Sequence, residues 1–336
     1  MNRLRTTTFD YLDRMSGKYG LFEHAKGTVR REEHGYCVDD NARLLVVASR
    51  ESGNEVADRL GRLALSFVTE AQDTQGNVRN RMNSDGRWTD KATTEDSWGR
   101  SIWALGVAAT QNSDSDIRKA AQSGFDRGVA QRSRWSRSMA FAALGAAEVV
   151  TEYPEHAAAR ALLTDTLDAV GEIQPGTWTW PEARLRYANG ALAEAVIAAG
   201  AALASKHDLQ RGLEMLAWLL ETETPEGHLS VTGTKGRGPE DRGPQFDQQP
   251  IEVAAIADAC WRAYAITGDD IWAGGVSAAA NWFTGSNDVG LQMYDADSGG
   301  GFDGLQPKQV NLNQGAESTL ALVTTMQRAS SFVFAP

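Results

Sequence analysis

Apolar side chains recur every three or four residues along most of the chain, and this spacing places them on one face of an α-helix. Together with capping residues, the periodicity predicts about twelve helices. Their predicted bounds are 3–16, 40–52, 55–71, 95–111, 114–130, 136–151, 155–171, 187–205, 207–220, 250–267, 270–285 and 316–331. Strand patterns are short and occur only at 227–231 and 290–294, inside connections. The fold class that follows is all-α.

The connections between the predicted helices alternate in length. Short connections lie at 53–54, 112–113, 152–154, 206 and 268–269. Long connections lie at 17–39, 72–94, 172–186, 221–249 and 286–315. The connection at 131–135 occupies the position of a long one in the alternation but is short. Helical hairpins arranged in a ring put tight turns on one face and longer links on the other. An open helical solenoid gives the same local pattern, but its loops tend to be short and uniform. We therefore predict an (α/α)6 toroid, a single domain over residues 1–336, with every long loop on one rim.

The charge balance limits the partners of the protein. The 336 residues include 33 Lys and Arg against 44 Asp and Glu, which gives a formal net charge of -11. Such a surface disfavours phosphate backbones and anionic membranes, so we expect neither nucleic acid nor membrane as a partner. Residues 1–20 include basic residues but no apolar core run, so we do not expect them to act as a secretory signal. Cys37 and Cys260 are expected to be buried free thiols, and together these features favour a cytoplasmic location.

Polar and aromatic residues concentrate where the even-numbered helices begin. The segments concerned are 36–43, 94–100, 133–137, 178–189, 246–252 and 311–319. In a ring these segments converge on one cavity, where carboxylates, amides, guanidinium groups and indole rings would meet. Sugars need that mixture, because aromatic faces stack on C–H surfaces while polar groups bond to hydroxyls.

Ordinary helix capping explains part of this pattern. Asp39 suits an N-cap with Arg43 four residues further on, and Thr93 with Asp96 fits a capping box. Capping does not require consecutive acids, a Gln-Gln pair or an Asn-x-Asn-Gln string, so the combination favours a binding site.

Cleavage of a glycosidic bond requires one protonated carboxyl and a second, ionised carboxylate. The candidate catalytic residues are Asp39, Asp40, Asp96, Asp247, Glu252 and Glu317. We expect Asp39 to act mainly as a cap and positioning residue and Asp40 to face the cavity, with Asp247 or Glu317 as its partner.

Candidate substrate contacts come from the same segments. They are His34, Tyr36, Arg43, Glu95, Arg100, Trp178, Trp180, Glu182, Asn189, Gln248, Gln249, Asn313 and Gln314. Trp178 and Trp180 flank a glycine-containing loop, which favours an exposed aromatic platform over core packing.

Other chemistries find little support in the sequence. The five histidines lack metal-ligand spacing, and the glycines at 233–238 follow no predicted strand, so they do not form a phosphate-binding loop. We therefore expect no metal and no cofactor.

Four motifs resemble a bacterial family whose members are described as glycosyltransferase-associated and look like six-hairpin glycosidases. They lie at 34–43, 95–106, 246–252 and 313–319, and the resemblance covers nearly the whole chain. It implies an oligosaccharide substrate and a functional association with a glycosyltransferase.

The consecutive aspartates at a helix start are similar to the catalytic pair of bacterial α-mannanases on the same toroid. That similarity points to Asp39 and Asp40 and to a mannose-containing substrate. The chain departs from the expected pattern at Tyr187-Ala188-Asn189, where an acid is expected at position 188.

The leading hypothesis is thus a glycoside hydrolase, and two alternatives stay open. A sugar epimerase or isomerase on the same toroid uses paired histidines as acid and base, and only His24 and His34 lie near the predicted rim. A non-catalytic glycan-binding partner of a glycosyltransferase would keep the Trp and amide residues without needing so many acids.

Overall fold

The computed structural model describes residues 2–173 and 176–332, and within them the chain forms twelve α-helices. These are α1 Asn2–Met15, α2 Val38–Arg50, α3 Glu55–Ala71, α4 Asp96–Gln111, α5 Ser115–Gly128, α6 Ser136–Glu152, α7 Ala157–Val170, α8 Asn189–Ala202, α9 Lys206–Glu223, α10 Pro250–Thr267, α11 Asp270–Phe283 and α12 Ala316–Ser331. Each coincides with a predicted helix, and the ends differ by only a few residues.

The β-structure consists of two-residue strands in the long loops. They are β1 Ala25–Lys26, β2 Val29–Arg30, β3 Tyr36–Cys37, β4 Arg81–Met82, β5 Gly304–Leu305 and β6 Val310–Asn311. They form three antiparallel pairs, β1 with β2, β3 with β4 and β5 with β6. A short 3₁₀ turn at Glu32–His34 precedes β3.

The strands predicted at 227–231 and 290–294 are wrong. Leu229, Ser230 and Val231 are all buried, so the segment does not alternate between a buried and an exposed face. Its backbone bonds to the end of α9, where Ser230 N donates to Glu223 O at 2.7 Å. In the second segment, Tyr294 makes only an isolated bridge to Gly301.

The even-numbered helices form the inner ring. Each packs against the next, and α12 packs against α2 to close the circle, while the odd-numbered helices lie outside against their hairpin partners. The inner helices are buried on nearly all sides; in α8 every residue from Asn189 to Gly200 is buried. A helix that is apolar all round belongs in such a position. The predicted (α/α)6 toroid is confirmed.

Glycine permits the close approach of α4 and α6. A Cβ added at Gly99 would collide with the backbone of Ser138, and one added at Gly106 would collide with that of Gly145. Gly145 in turn faces the carbonyl of Ile102. No larger side chain fits between these backbones, so this stretch of the ring depends on glycine.

Direct contacts between the long loops confirm that they share one rim. Strand β3 from the first long loop pairs with β4 from the second. Further links join Leu185 to Arg237, Gln248 to Leu305, and Gln314 to Gly27.

The opposite end of the inner ring contains buried ion pairs. The Asp258 carboxylate accepts hydrogen bonds from Arg50, at 3.0 Å, and from Arg328. Nearby, Arg262 contacts Glu194 at 2.8 Å. Charges this deeply buried are tolerated because each has an opposite partner. Within the described residues, no helix is long and apolar enough to cross a membrane.

Candidate functional site

The start of α2 brings two acidic residues to the rim. The helix begins at Val38 with Cys37 as its N-cap residue, so Asp39 and Asp40 both lie in the first turn. The expectation that Asp39 caps the helix is therefore wrong. Its Oδ2 instead accepts a hydrogen bond from Nδ2 of Asn80, at 3.1 Å, and that residue belongs to the next long loop.

Asp40 is the buried member of the pair. The residue is 3% exposed; Oδ1 lies 2.7 Å from Nη1 of Arg43, and the Cys37 thiol donates to Oδ2 at 3.1 Å. Burial raises the pKa of Asp40 to about 7; the Arg43 cation opposes the rise, and the charge of Glu317 adds to it. The local ion pair expected between Asp39 and Arg43 is thus made by Asp40. A carboxyl group in this setting keeps its proton close to neutral pH.

Arg43 connects Asp40 to a carboxylate on another helix. Its Nη2 lies 2.8 Å from Oε2 of Glu317, in the first turn of α12. A single guanidinium that contacts both carboxyl groups holds them within about 8 Å of each other. This upper limit is compatible with the separations of about 5–9.5 Å found between the carboxyl pairs of glycosidases.

These groups line a cavity of about 430 Å³. Among the predicted residues it includes Asp39, Asp40, Arg43, Arg100, Gln249 and Glu317. It also includes His24, which the sequence analysis considered only for the epimerase alternative, and Glu23 and Asp303, which it did not select.

Arg100 and Asp39 form an imperfect pair at this cavity. Nε of Arg100 lies 3.5 Å from Oδ1 of Asp39. Among the described residues, Nε and Nη1 of Arg100 and Oδ1 of Asp39 have no hydrogen-bond partner. Burial and the neighbouring Arg43 cation lower the pKa of Arg100, whose guanidinium also lies over the Phe141 ring at 4.2 Å. Unpaired buried polar groups are uncommon in native proteins, and contact with a ligand is one explanation for them.

Asp303 shows what helix-based reasoning missed. It lies in a glycine-rich loop just before β5, where its Oδ1 accepts from the backbone N of Gly315 at 2.8 Å and from the Ser318 hydroxyl. Burial raises its pKa, and those two hydrogen bonds oppose the rise. No capping or periodicity signal marks this position, although the loop composition at 299–304 is a weak indication.

A second cavity, of about 770 Å³, adjoins the first. The predicted residues Glu95, Asp96 and Glu182 line it, and Tyr187 lines both cavities. The Tyr187 hydroxyl donates to Asp96. Burial raises the pKa of Asp96, and the Arg100 cation opposes the rise.

Arg137 fixes the loop that separates the two cavities. Its Nε donates to Tyr187 O at 2.6 Å, and its Nη1 donates to Oε1 of Glu182 at 2.7 Å. The guanidinium also lies over the Tyr187 ring, 5.1 Å from its centroid. The motif that opens α6 contains Arg137, but its role could not be assigned without knowing that residues 182–187 lie opposite.

Glu252 holds the same loop from beneath. It is buried and accepts bonds from Ala188 N, from Asn189 N at 3.2 Å and from Asn189 Nδ2 at 3.1 Å. Burial raises its pKa to about 8, assisted by Glu223 and opposed by the bonds from the loop. Ala188 has φ of 48°, in the left-handed region, which these bonds maintain. Glu252 and Asn189 therefore position the loop.

The predicted aromatic platform is not exposed. Trp180 is 2% exposed and stacks on Trp218 of α9 at 5.9 Å between ring centroids. Trp178 packs edge-on against the same ring and donates to Glu182 O at 2.7 Å. The loop folds back on α9, and the expectation of an exposed platform is wrong.

Tyr36 and His34 differ in exposure. Tyr36 is buried and stacks on Phe22 at 4.2 Å, as part of the core. His34 is exposed, and its ring meets that of His24 edge-on at 4.9 Å.

Three predicted amides hold loops together. Gln248 is fully buried between Asp288 and Trp282. Gln314 contacts Ser298 and Asp295, and Oδ1 of Asn313 accepts from Gly27 N at 3.0 Å. Asp247 is exposed and lines neither cavity within the described part of the chain.

One group of side chains offers metal-ligating atoms. The atoms of Glu23, Cys37 and Asp40 lie within 4.8 Å of one another. Each is already engaged, since Glu23 pairs with Arg81, Asp40 pairs with Arg43, and the thiol donates to Asp40. Burial raises the pKa of Cys37, which disfavours the thiolate that a metal requires.

No protein-family model matches the sequence, and no curated protein sequence matches it. Solved structures with the same fold do match. Cellobiose 2-epimerase from Bacillus thermoamylovorans has a TM-score of 0.72 at 10% identity, covering 97% of this chain and 98% of that one. A family 76 α-mannanase from Bacteroides thetaiotaomicron has a TM-score of 0.68 at 11% identity, covering 99% of this chain and 96% of that one. D-mannose isomerase has a TM-score of 0.68 at 11% identity, covering 98% of this chain and 96% of that one. These neighbours are a mixture of epimerases, isomerases and glycosidases, and at such identities the likeness establishes the shared toroid.

Proposed function

We propose that the protein is a glycoside hydrolase that acts on an oligosaccharide in the cavity floored by Asp40. The observation that carries the proposal is the Asp40–Arg43–Glu317 bridge. It joins a buried carboxyl whose pKa is raised to about 7 with a half-exposed carboxylate on a different helix. Two carboxyl groups in unlike environments are what acid-assisted glycosidic cleavage requires.

In this proposal Asp40 is the general acid and donates its proton to the departing glycosidic oxygen. Glu317 attacks the sugar directly or takes a proton from the attacking water. Arg43 holds both carboxyl groups in place. The unsatisfied donors of Arg100, and Oδ1 of Asp39, hydrogen-bond to sugar hydroxyls.

The proposed substrate contains mannose, on the similarity of Asp39 and Asp40 to the α-mannanase pair. We further propose that the glycan is the product of an associated glycosyltransferase, because the four motifs resemble the family described in that way.

A sugar epimerase is the second candidate, because His24 lines the first cavity and His34 lies beside it. Epimerisation removes a proton from one face of a carbon and returns it to the other, so acid and base must stand on opposite sides of the sugar. The two rings touch at 4.9 Å between centroids, which leaves no room for a sugar between them. The geometry therefore supports hydrolysis better.

The test is to incubate the purified protein with α-manno-oligosaccharides and cello-oligosaccharides of two to six units and to identify the products by mass. Hydrolysis gives shorter sugars, whereas epimerisation in D₂O gives an isomer of the same length that carries deuterium at the reacting carbon. Shortened products are expected.

Two variants and a control assign the residues. Asp40→Asn and Glu317→Gln should each lower turnover by about 10³-fold or more, because each removes one of the two groups that act together. Asp247→Asn, on the same rim but outside the cavity, should keep near-normal turnover. Near-normal turnover in Asp40→Asn refutes the assignment. Sugar binding by the wild type without any product would favour the non-catalytic glycan-binding alternative.

A further inference from the structure

The second cavity contains an aromatic residue without an assigned role. Trp135 lines it and is 49% exposed, and Tyr187, on the wall shared with the first cavity, is 38% exposed. A large aromatic side chain left half in solvent inside a concave site is characteristic of ligand contact.

The backbone of Trp135 and the ring of Tyr187 are fixed by neighbouring groups. Trp135 is the N-cap residue of α6, so the helix fixes its backbone, and the Arg134 guanidinium lies over its ring at 4.6 Å from the centroid. Tyr187 is fixed through its hydroxyl by Asp96 and through its carbonyl by Arg137. Rigid aromatic surfaces bind at a low cost in side-chain entropy.

The rest of the lining is polar and carries both signs of charge. It includes Lys91, Glu95 and Arg186, all exposed. A mixture of hydrogen-bonding groups around an aromatic face matches a neutral sugar, which presents hydroxyls at its edge and C–H groups on its face. The volume of about 770 Å³ lies within the range of roughly 300–1,000 Å³ that is typical of ligand sites.

We infer that this second cavity is a sugar subsite in which a unit of the substrate stacks on the face of Trp135 that Arg134 leaves open. The inference rests on the proposed function, since it extends the sugar site at Asp40. The glycan passes Tyr187 and occupies both cavities, so the substrate is a chain longer than a disaccharide.

The test measures binding rather than turnover. Asp40→Asn protein is titrated with α-manno-oligosaccharides and cello-oligosaccharides of two to six units, by calorimetry and by tryptophan fluorescence. For at least one series, affinity should rise once the chain is long enough to reach the second cavity. Adding Trp135→Ala should lower the affinity for the longer sugars about tenfold, equivalent to about 1.4 kcal/mol, and leave that for the disaccharide unchanged.

The structure provides a matched control at the other end of the same helix. Tyr153, the C-cap residue of α6, is also 49% exposed. Tyr153→Ala should leave the affinity for every sugar unchanged, and Trp135→Phe should retain most of it, which separates stacking from misfolding.

Three results would overturn the subsite: no dependence of affinity on chain length, an equal loss for disaccharide and longer sugars in Trp135→Ala, or no binding by any member of either series. Length-dependent binding without turnover by the wild type would refute the hydrolase and leave the subsite standing. Normal turnover by the wild type, with no effect of Trp135→Ala on affinity, would refute the subsite and leave the hydrolase standing.

Discussion

Replacing Asp40 with Asn should make the fold more stable at alkaline pH while abolishing turnover. The pKa of Asp40 is raised from 3.8 to about 7 by burial. A carboxyl with a raised pKa stabilises the folded state in its protonated form. That contribution is complete below pH of about 4 and is lost as the pH rises to about 7. Asn has nearly the shape of the protonated group and does not ionise, so it avoids the loss.

The magnitude follows from the same two values. Each pH unit between them corresponds to about 1.4 kcal/mol, so the whole loss is about 4 kcal/mol. The sequence pI is about 5.0, which makes pH 5.5 a practical lower limit for measurement. Between pH 5.5 and 8.5 the unfolding free energy of Asp40→Asn should therefore rise by about 2 kcal/mol relative to the wild type.

Urea unfolding followed by circular dichroism at pH 5.5, 7 and 8.5 measures this difference. Gln249→Ala also alters the cavity lining but removes no titrating group, so its effect on stability should not vary with pH. If the difference between Asp40→Asn and the wild type stays constant across this range, the carboxyl is not held protonated by burial. The role of general acid would then be refuted.

Two further predictions concern the ring itself. Gly106→Ala should lower the unfolding free energy by about 1–3 kcal/mol, because the new methyl group collides with the backbone of α6. As a control, Gly274→Ala, whose Cβ meets nothing within 4 Å, should be neutral or stabilising by up to about 1 kcal/mol. Equal effects of the two substitutions in urea unfolding would contradict the close-packing argument. Asp258→Ala should cost about 3–5 kcal/mol because it leaves Arg50 and Arg328 buried without their shared carboxylate, and a change below about 1 kcal/mol would show that the two arginines reach water.

The sequence predicted the helices well because helical periodicity is a local property. The alternation of connection lengths then indicated a ring, since it repeats along the whole chain. The strand prediction failed at 227–231 because a short apolar segment indicates that its side chains are buried and does not identify the backbone's hydrogen-bond partner. Here that partner is the end of α9, an element that the pattern of the segment cannot reveal.

In the candidate site, too, the sequence predicted the residues that local helix patterns mark and missed or misplaced those that depend on distant parts of the chain. Asp40 and Glu317 were accessible to sequence reasoning because each lies in the first turn of an inner helix. Asp303 was missed because it reaches the cavity from an irregular loop. Trp180 was misplaced because its burial depends on Trp218, which is 38 positions away in sequence on an outer helix and has no recognisable link to it.

Closure of the ring has a consequence for folding during synthesis on the ribosome. The contacts that complete the circle are among the most distant in sequence: Gln327 donates to the carbonyl of Val47 across 280 positions, and Tyr11 donates to that of Gln314 across 303. Pairings of this kind form slowly and late. Until α12 has been synthesised, the flank of α2 that packs against it lacks its final neighbour, so apolar helical surface stays exposed in the growing chain.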